Sequence, residues 1–166
     1  LDGAGTVCMR ITTGLFQRGV AALGDIAPFE GAGTSRSVKT DVPQRPADVT
    51  ASVRIADNQA AIYRLSGDYN PLHADPAVAR QAGFERPILH GAATWGIACC
   101  ALVRELCAGD SARVRAFGAR FSSPVYPGET LRTEAWSVAP GRAAFRCSVP
   151  ARGKIVLESG DFEFDA

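Results

Sequence analysis

The stretch GAATWGIACCALVREL, Gly91–Leu106, decides the fold together with four segments that follow it: VRAFGARF (114–121), TLRTEAWSV (130–138), RAAFRCSV (142–149) and KIVLESGDFEF (154–164). Ala92, Trp95, Ile97, Ala98, Cys99, Ala101, Leu102 and Val103 make the first stretch apolar nearly all round. That predicts a long helix buried on most sides, ending before Gly109. The later segments are rich in β-branched and aromatic residues and are separated by YPGE, APG and ARG turns, so they read as strands of an antiparallel meander. The order is α+β. A strongly curved sheet wrapping a central helix satisfies it.

Working upstream, VTASVRIA (49–56) alternates Val49, Ala51, Val53 and Ile55 and reads as a further strand. Asp57 is placed to cap a helix running through Leu65, with Gly67 as its stop. Asp75 caps a second short helix, with Pro76 at its first position and Gly83 beyond its end. The segment 24–48, GDIAPFEGAGTSRSVKTDVPQRPAD, is rich in Gly, Pro, Ser, Thr and charge and reads as a linker or surface loop. GAGTSR within it lacks the third glycine and the following helix of a dinucleotide fingerprint. Thr6–Val20 mixes β-branched and apolar residues and is expected to hold one or two strands. No internal repeat is visible.

The 166 residues fit one domain, or one domain plus a piece of another; a hydrophobic content of 46% allows a sizeable core. With a net charge of +1 and no basic run, no nucleic-acid partner is expected. No apolar stretch approaches a membrane span, so no membrane role is expected either. The first ten residues lack the pattern of a signal peptide and the first is not Met, which suggests a processed or excerpted chain. The five cysteines (Cys8, Cys99, Cys100, Cys107 and Cys147) contain no Cys-x-x-Cys pair, so neither a disulfide framework nor a structural zinc is expected. Cys100 and Cys107, seven apart, would share a helix face. Small apolar filler in a reduced, cytoplasmic setting is the reading.

The chemistry concentrates in Tyr63–Gly91, YRLSGDYNPLHADPAVARQAGFERPILHG, which holds both histidines. Gly67 can end a helix in the left-handed conformation, leaving Asp68 at the exit of a rigid element. Pro71 biases Asn70 to an extended backbone, so the chain reaches His73 by a constrained path. Asp68 and His73 can share a water as an acid–base pair, with Asn70 orienting that water or a substrate carbonyl. The long helix starts at His90–Gly91–Ala92, where backbone N–H groups carry the positive end of the dipole. Gly91, without a side chain, would let a carbonyl oxygen approach its N–H and so stabilise an enolate. Each residue also has a plainer reading. Asp68 can be a turn residue, His73 a hydrogen-bonded structural histidine, and His90 a cap or buttress of the helix. Asp75-Pro76 is a helix start, and Trp95 and Phe84 are core.

YRLSGDYNPLHADP (63–76), AGFERPILHG (82–91) and ARFSSPVYPGETLRTEAW (119–136) together resemble the MaoC-like, or hydratase 2, group of R-specific enoyl-CoA hydratases over roughly residues 57–138. The resemblance implies a hot-dog fold and a coenzyme A thioester substrate. It also implies that Asp68 and His73 activate water with Asn70 beside them, and that the Gly91 amide polarises the thioester carbonyl. Longer members of the family carry two hot-dog repeats, the first without the catalytic motif. On that pattern, residues 1–23 would be the end of a preceding repeat and RGVAALGD (18–25) the remnant of a glycine-rich stretch. Residues 24–48 would be the connector and 49–166 the catalytic domain.

The implied reaction is hydration of trans-2-enoyl-CoA to (3R)-3-hydroxyacyl-CoA, with no metal and no redox cofactor. The implied partner is a second hot-dog unit, either a copy of the chain or a preceding repeat. A dehydratase acting on carrier-protein thioesters, a non-catalytic acyl-binding subunit and a thioesterase are the alternatives. Arg36, Lys39 and Arg45 are candidates for the coenzyme phosphate by charge alone, against the plainer reading of a solvated loop.

Overall fold

The computed structural model describes residues 3–11, 13 and 41–166. The chain divides into two compact units, Leu1–Val38 and Lys39–Ala166. In the first, residues 6–11 and 13 carry no strand. The remainder of the strands expected over Thr6–Val20, and most of the two expected N-terminal segments, lie outside the described residues.

The second unit runs β1 (Val49–Arg54), α1 (Gln59–Arg64), α2 (Pro76–Gln81), α3 (Gly91–Leu106), β2 (Val114–Phe121), β3 (Thr130–Ala139), β4 (Arg142–Val149) and β5 (Lys154–Phe164). All five strands form one sheet of order β1-β3-β4-β5-β2, and every pairing is antiparallel. β1 and β2 are opposite edges of that sheet, yet both contact α3, as does β3. The sheet therefore curls around the helix. This is the hot-dog arrangement, and α3 and the strands match the spans read from their periodicity.

Alternation explains the inner lining. In β1, Ala51 is buried and Val49 and Val53 half-buried, while Thr50, Ser52 and Arg54 face out. Ala93, Ala98 and Leu102 of α3 pack with Ile55, Leu131, Phe145, Val156, Leu157 and Phe162 in one core. Burying side chains of that size stabilises the fold by roughly 1.5–3 kcal/mol for each large one.

Three expectations are corrected. The N-cap of α1 is Asn58, without a side-chain cap bond, not Asp57. Asp57 instead reaches Arg54 at 3.4 Å and lies beside Gly128. α3 is not buried on most sides: Ala92, Cys100 and Arg104 are exposed and Trp95 and Gly96 only half-buried. The curled sheet covers one side of the helix and leaves the face of Ala92, Cys100 and Arg104 open. Cys107 is buried and Cys100 exposed, because the helix ends at Leu106 and Cys107 leaves its path at φ −113°.

All five cysteines are free thiols, and burial pushes the Cys147 thiol up to about 12. Residues 41–48 have no regular structure but are fastened to β3. The Trp136 indole N–H donates to the Arg45 carbonyl at 2.9 Å. Asp48 pairs with Arg45 and accepts from the Ser137 N–H, and these bonds hold its carboxyl down at about 2. Arg45, a candidate phosphate ligand by charge, is thus committed to Asp48; Arg36 and Lys39 lie outside the described residues. Among the described residues, no helix is long and apolar enough to cross a membrane.

Candidate active site

The site is assembled by the chain between α1 and α3. Gly67 follows α1 at φ +107°, a conformation that L side chains rarely adopt, and turns the chain sharply into Asp68. The Asp68 Oδ1 accepts the Asn70 N–H at 3.2 Å. Asn70 has ψ 120°, the extended backbone that Pro71 imposes. Its Oδ1 accepts the Leu72 N–H at 3.0 Å and caps the single 3₁₀ turn Pro71–His73. Asp75 then caps α2 through the Ala77 N–H at 2.7 Å, with Pro76 at the first position and Gly83 at φ +86° beyond the end, as the sequence implies. A run of local side-chain-to-backbone bonds thus fixes the path from Asp68 to His73.

The strap 84–90 closes the other side. Its Leu89 N–H donates to the Val125 carbonyl at 2.7 Å. His73 Nδ1 lies 2.8 Å from the Ile88 carbonyl oxygen. A carbonyl only accepts, so Nδ1 carries the hydrogen and Nε2 keeps its lone pair. The ring is therefore oriented as a base. The Asp68 carboxylate, with an oxygen left over from the Asn70 bond, is exposed beside it. Asp68, His73 and His90 each offer a donor atom within 4.8 Å of the others. For a cation to use this set, His90 would have to supply Nδ1, because its Nε2 lies 3.3 Å from the Asp68 carbonyl oxygen.

His90 is buried, at 1% exposure. It occupies the N-cap position of α3 but makes no side-chain cap bond. Instead its ring stacks on His73 with centroids 3.8 Å apart and lies 4.7 Å from the Tyr63 ring. Burial, then the neighbouring His73 charge, lowers the His90 pKa below its usual value. Of the two plain readings, cap and buttress, the geometry is that of a buttress.

Gly91 opens α3, and the first-turn amides of the helix have no acceptor within it. A Cβ on Gly91 would sit 3.3 Å from the Phe121 ring at the end of β2. Asp68, His73, His90 and the α3 N-terminus are therefore brought together. Asn70 is in the same turn, but its carboxamide oxygen is already used by Leu72, which leaves its NH₂ to offer. Three contributors escaped the sequence reading: the Ile88 carbonyl, the Phe121 ring and the Tyr63 ring. Only Tyr63 had a signal, an aromatic at the head of the motif. A groove of about 440 Å³ runs from this region along the open face of α3, between Tyr63, Val53, Ala92, Gly96, Ile97 and Cys100.

Comparison with known proteins places the chain in a family. Residues 38–158 match the family described as "MaoC like domain". The chain is 47% identical over 143 residues to 3-hydroxyacyl-thioester dehydratase Y of Mycobacterium tuberculosis, an alignment that covers 83% of this chain and 49% of that protein. It is 41% identical over 160 residues to the peroxisomal enoyl-CoA hydratase 2 of Arabidopsis thaliana, covering 94% and 51%. The crystal structure of a MaoC-like dehydratase from Phytophthora capsici superposes with a TM-score of 0.77 at 40% identity, covering 86% of this chain and 51% of that one. The chain thus spans about half the length of these relatives.

Proposed function

The chain belongs to the MaoC-like domain family, and on that premise we propose that it hydrates trans-2-enoyl-CoA to (3R)-3-hydroxyacyl-CoA, and dehydrates in reverse. One observation carries the reading: the exposed Asp68 carboxylate lies beside a His73 ring whose Nε2 lone pair is set free by the Nδ1–H bond to Ile88, at the N-terminus of α3. Water held by Asp68 and His73 Nε2 adds its oxygen to C3 of the enoyl group. One of its protons goes to His73 as the bond forms. The electron pair of the double bond moves through C2 to the thioester oxygen, where the Gly91 N–H and the helix dipole stabilise the enolate. His73 then hands its proton on to C2, which completes the addition and returns the imidazole to its neutral form. Asn70 orients the water through its NH₂. The scheme needs no metal and no redox cofactor, because side chains activate the water and an amide polarises the carbonyl.

The name of the Arabidopsis relative supports the CoA thioester. That of the mycobacterial relative supports dehydration of a 3-hydroxyacyl thioester without naming its carrier, and the alternative is such a thioester on a carrier protein. Steady-state assay of crotonyl-CoA and of the same acyl group on a carrier protein decides between them. A kcat/KM higher on the CoA substrate, with (3R) product by chiral analysis, is the expected result. Preference for the carrier-bound substrate, or (3S) product, overturns it.

The partner is a second hot-dog unit, as a copy of this chain or a preceding repeat. The open apolar face of α3 and its groove support this, since a unit packed there would roof a channel for the acyl chain. A monomeric mass by light scattering with full activity would contradict it. Unpaired thiols suit a reducing compartment, and the cytoplasm is the location proposed. Several relatives carry "peroxisomal" in their names, so cell fractionation is the measurement.

A further inference from the structure

We propose that His90 is a positioning residue that locks the Asp68 turn, the His73 ring and the first turn of α3 into one arrangement. The inference rests on the reading of Asp68 and His73 as the acid–base pair. His90 Nε2 lies 3.3 Å from the Asp68 carbonyl oxygen, so Nε2 bears the hydrogen and donates it. The flat face of the same ring supports His73 at 3.8 Å. Its backbone carbonyl accepts the Thr94 N–H at 3.1 Å and the Thr94 hydroxyl at 3.4 Å, which starts the helix whose next residue is Gly91. One side chain and its own peptide therefore bind all three parts of the site.

The remaining ring atom explains why the residue stays neutral. His90 Nδ1 is buried and has no hydrogen-bond partner. A proton there would meet no acceptor and would sit against His73, which becomes charged during the reaction. The ionisable groups around the ring are His73, Asp68 and Arg64, with Tyr63 packed on its other side. A neutral imidazole gives His73 a rigid, uncharged surface; a second imidazolium would repel it. Phenylalanine would fill the same volume and remove the unpartnered Nδ1, so a side chain that only packs would be replaced by it without loss.

The decisive variant is accordingly His90→Phe, in the whole chain. Two histidines are present, so each His90 variant leaves His73 as the sole imidazole and its ¹⁵N–¹H correlation spectrum needs no further assignment. The expected result is an unchanged or higher Tm, kcat on crotonyl-CoA lowered about tenfold or more and KM within about threefold. With the Nε2–H bond to the Asp68 turn gone, the His73 ring should leave the Ile88 carbonyl part of the time, so that its Nδ1–H tautomer gives way to a mixture. A kcat within about twofold of the parent, or the parental tautomer, overturns the proposal. If His90→Phe does not fold, His90→Gln carries the test, since it keeps an N–H donor without the ring. The proposal requires a shifted His73 spectrum and a several-fold drop in kcat, and parental values for both overturn it. A parent protein without hydratase activity removes the hydratase reading instead, while the tautomer comparison still decides the role of His90.

Discussion

His73 Nδ1 and the Ile88 carbonyl oxygen, fifteen residues apart in sequence, stand 2.8 Å from each other. This bond assigns the hydrogen to Nδ1 and leaves Nε2 as the basic atom of a ring that lies beside Asp68. Loss of the base or of its carboxylate neighbour should therefore abolish the same step. Asp68→Asn and His73→Ala should each lower kcat on crotonyl-CoA about a hundredfold or more. The double variant should lose little beyond the worse single, since the two act as a unit. Near-parental rates in either single variant would remove the assignment.

Gly91 carries two constraints at once. A Cβ there meets Phe121 at 3.3 Å and also narrows the approach to the helix N-terminal amides. Gly91→Ala should cost about 3 kcal/mol in the transition state if the amide is the oxyanion donor. Phe121 is 54% exposed and free to swing away, so Tm should change little. The control is Gly91→Ala with Phe121→Ala, measured for kcat. Recovery in the double variant would mean that the ring clash, not the amide, limits the single one.

The lowered pKa of His90 sets a pH dependence of stability. In the folded protein burial and the neighbouring His73 favour the neutral ring, whereas the unfolded chain protonates it near 6.5. Above that pH both states are neutral there and the group contributes no difference. As pH falls below 6.5 the unfolded state takes up the proton first, and stability drops until the folded pKa is passed. His90→Phe has no such proton to take. Its Tm relative to the parent should rise between pH 7 and pH 5 in thermal melts, and a constant difference would contradict the buried neutral ring.

Gly160 should be among the least replaceable residues of the sheet. A Cβ there would come within 2.4 Å of the Phe145 carbonyl oxygen and 2.5 Å of its ring. Phe145 is fully buried, so it has nowhere to go. Gly160→Ala should lose about 1–3 kcal/mol of stability or more, the cost of an overpacked core. The β4–β5 register shifts between Phe145 and Cys147, and a melting temperature equal to that of the parent would show that this irregularity can relax.

Periodicity alone determined the layers of this protein. The apolar run Gly91–Leu106 marks a helix, though not which of its faces is covered, and the alternation of Val49, Ala51 and Val53 predicts the inward face of β1, because alternation is a local property of a regular strand. Turn chemistry did the same for Asn70-Pro71 and Asp75-Pro76, where the ring of proline and a short polar side chain dictate the backbone. The motif likewise marked Asp68 and His73 as neighbours, since they are only five positions apart with one rigid turn between them.

What the sequence could not decide depends on groups that every residue has, or on space. The Ile88 carbonyl that chooses the His73 tautomer is a backbone atom and has no letter of its own. The Phe121 ring reaches Gly91 only because the curled sheet brings the end of β2 to the start of α3. The open face of α3 follows from the same curvature, which wraps one side of an apolar helix and leaves Ala92 and Cys100 uncovered. His90 looked equally like a cap or a buttress until the fold stacked it on His73, because a ring's partner across seventeen residues is set by tertiary packing and not by spacing.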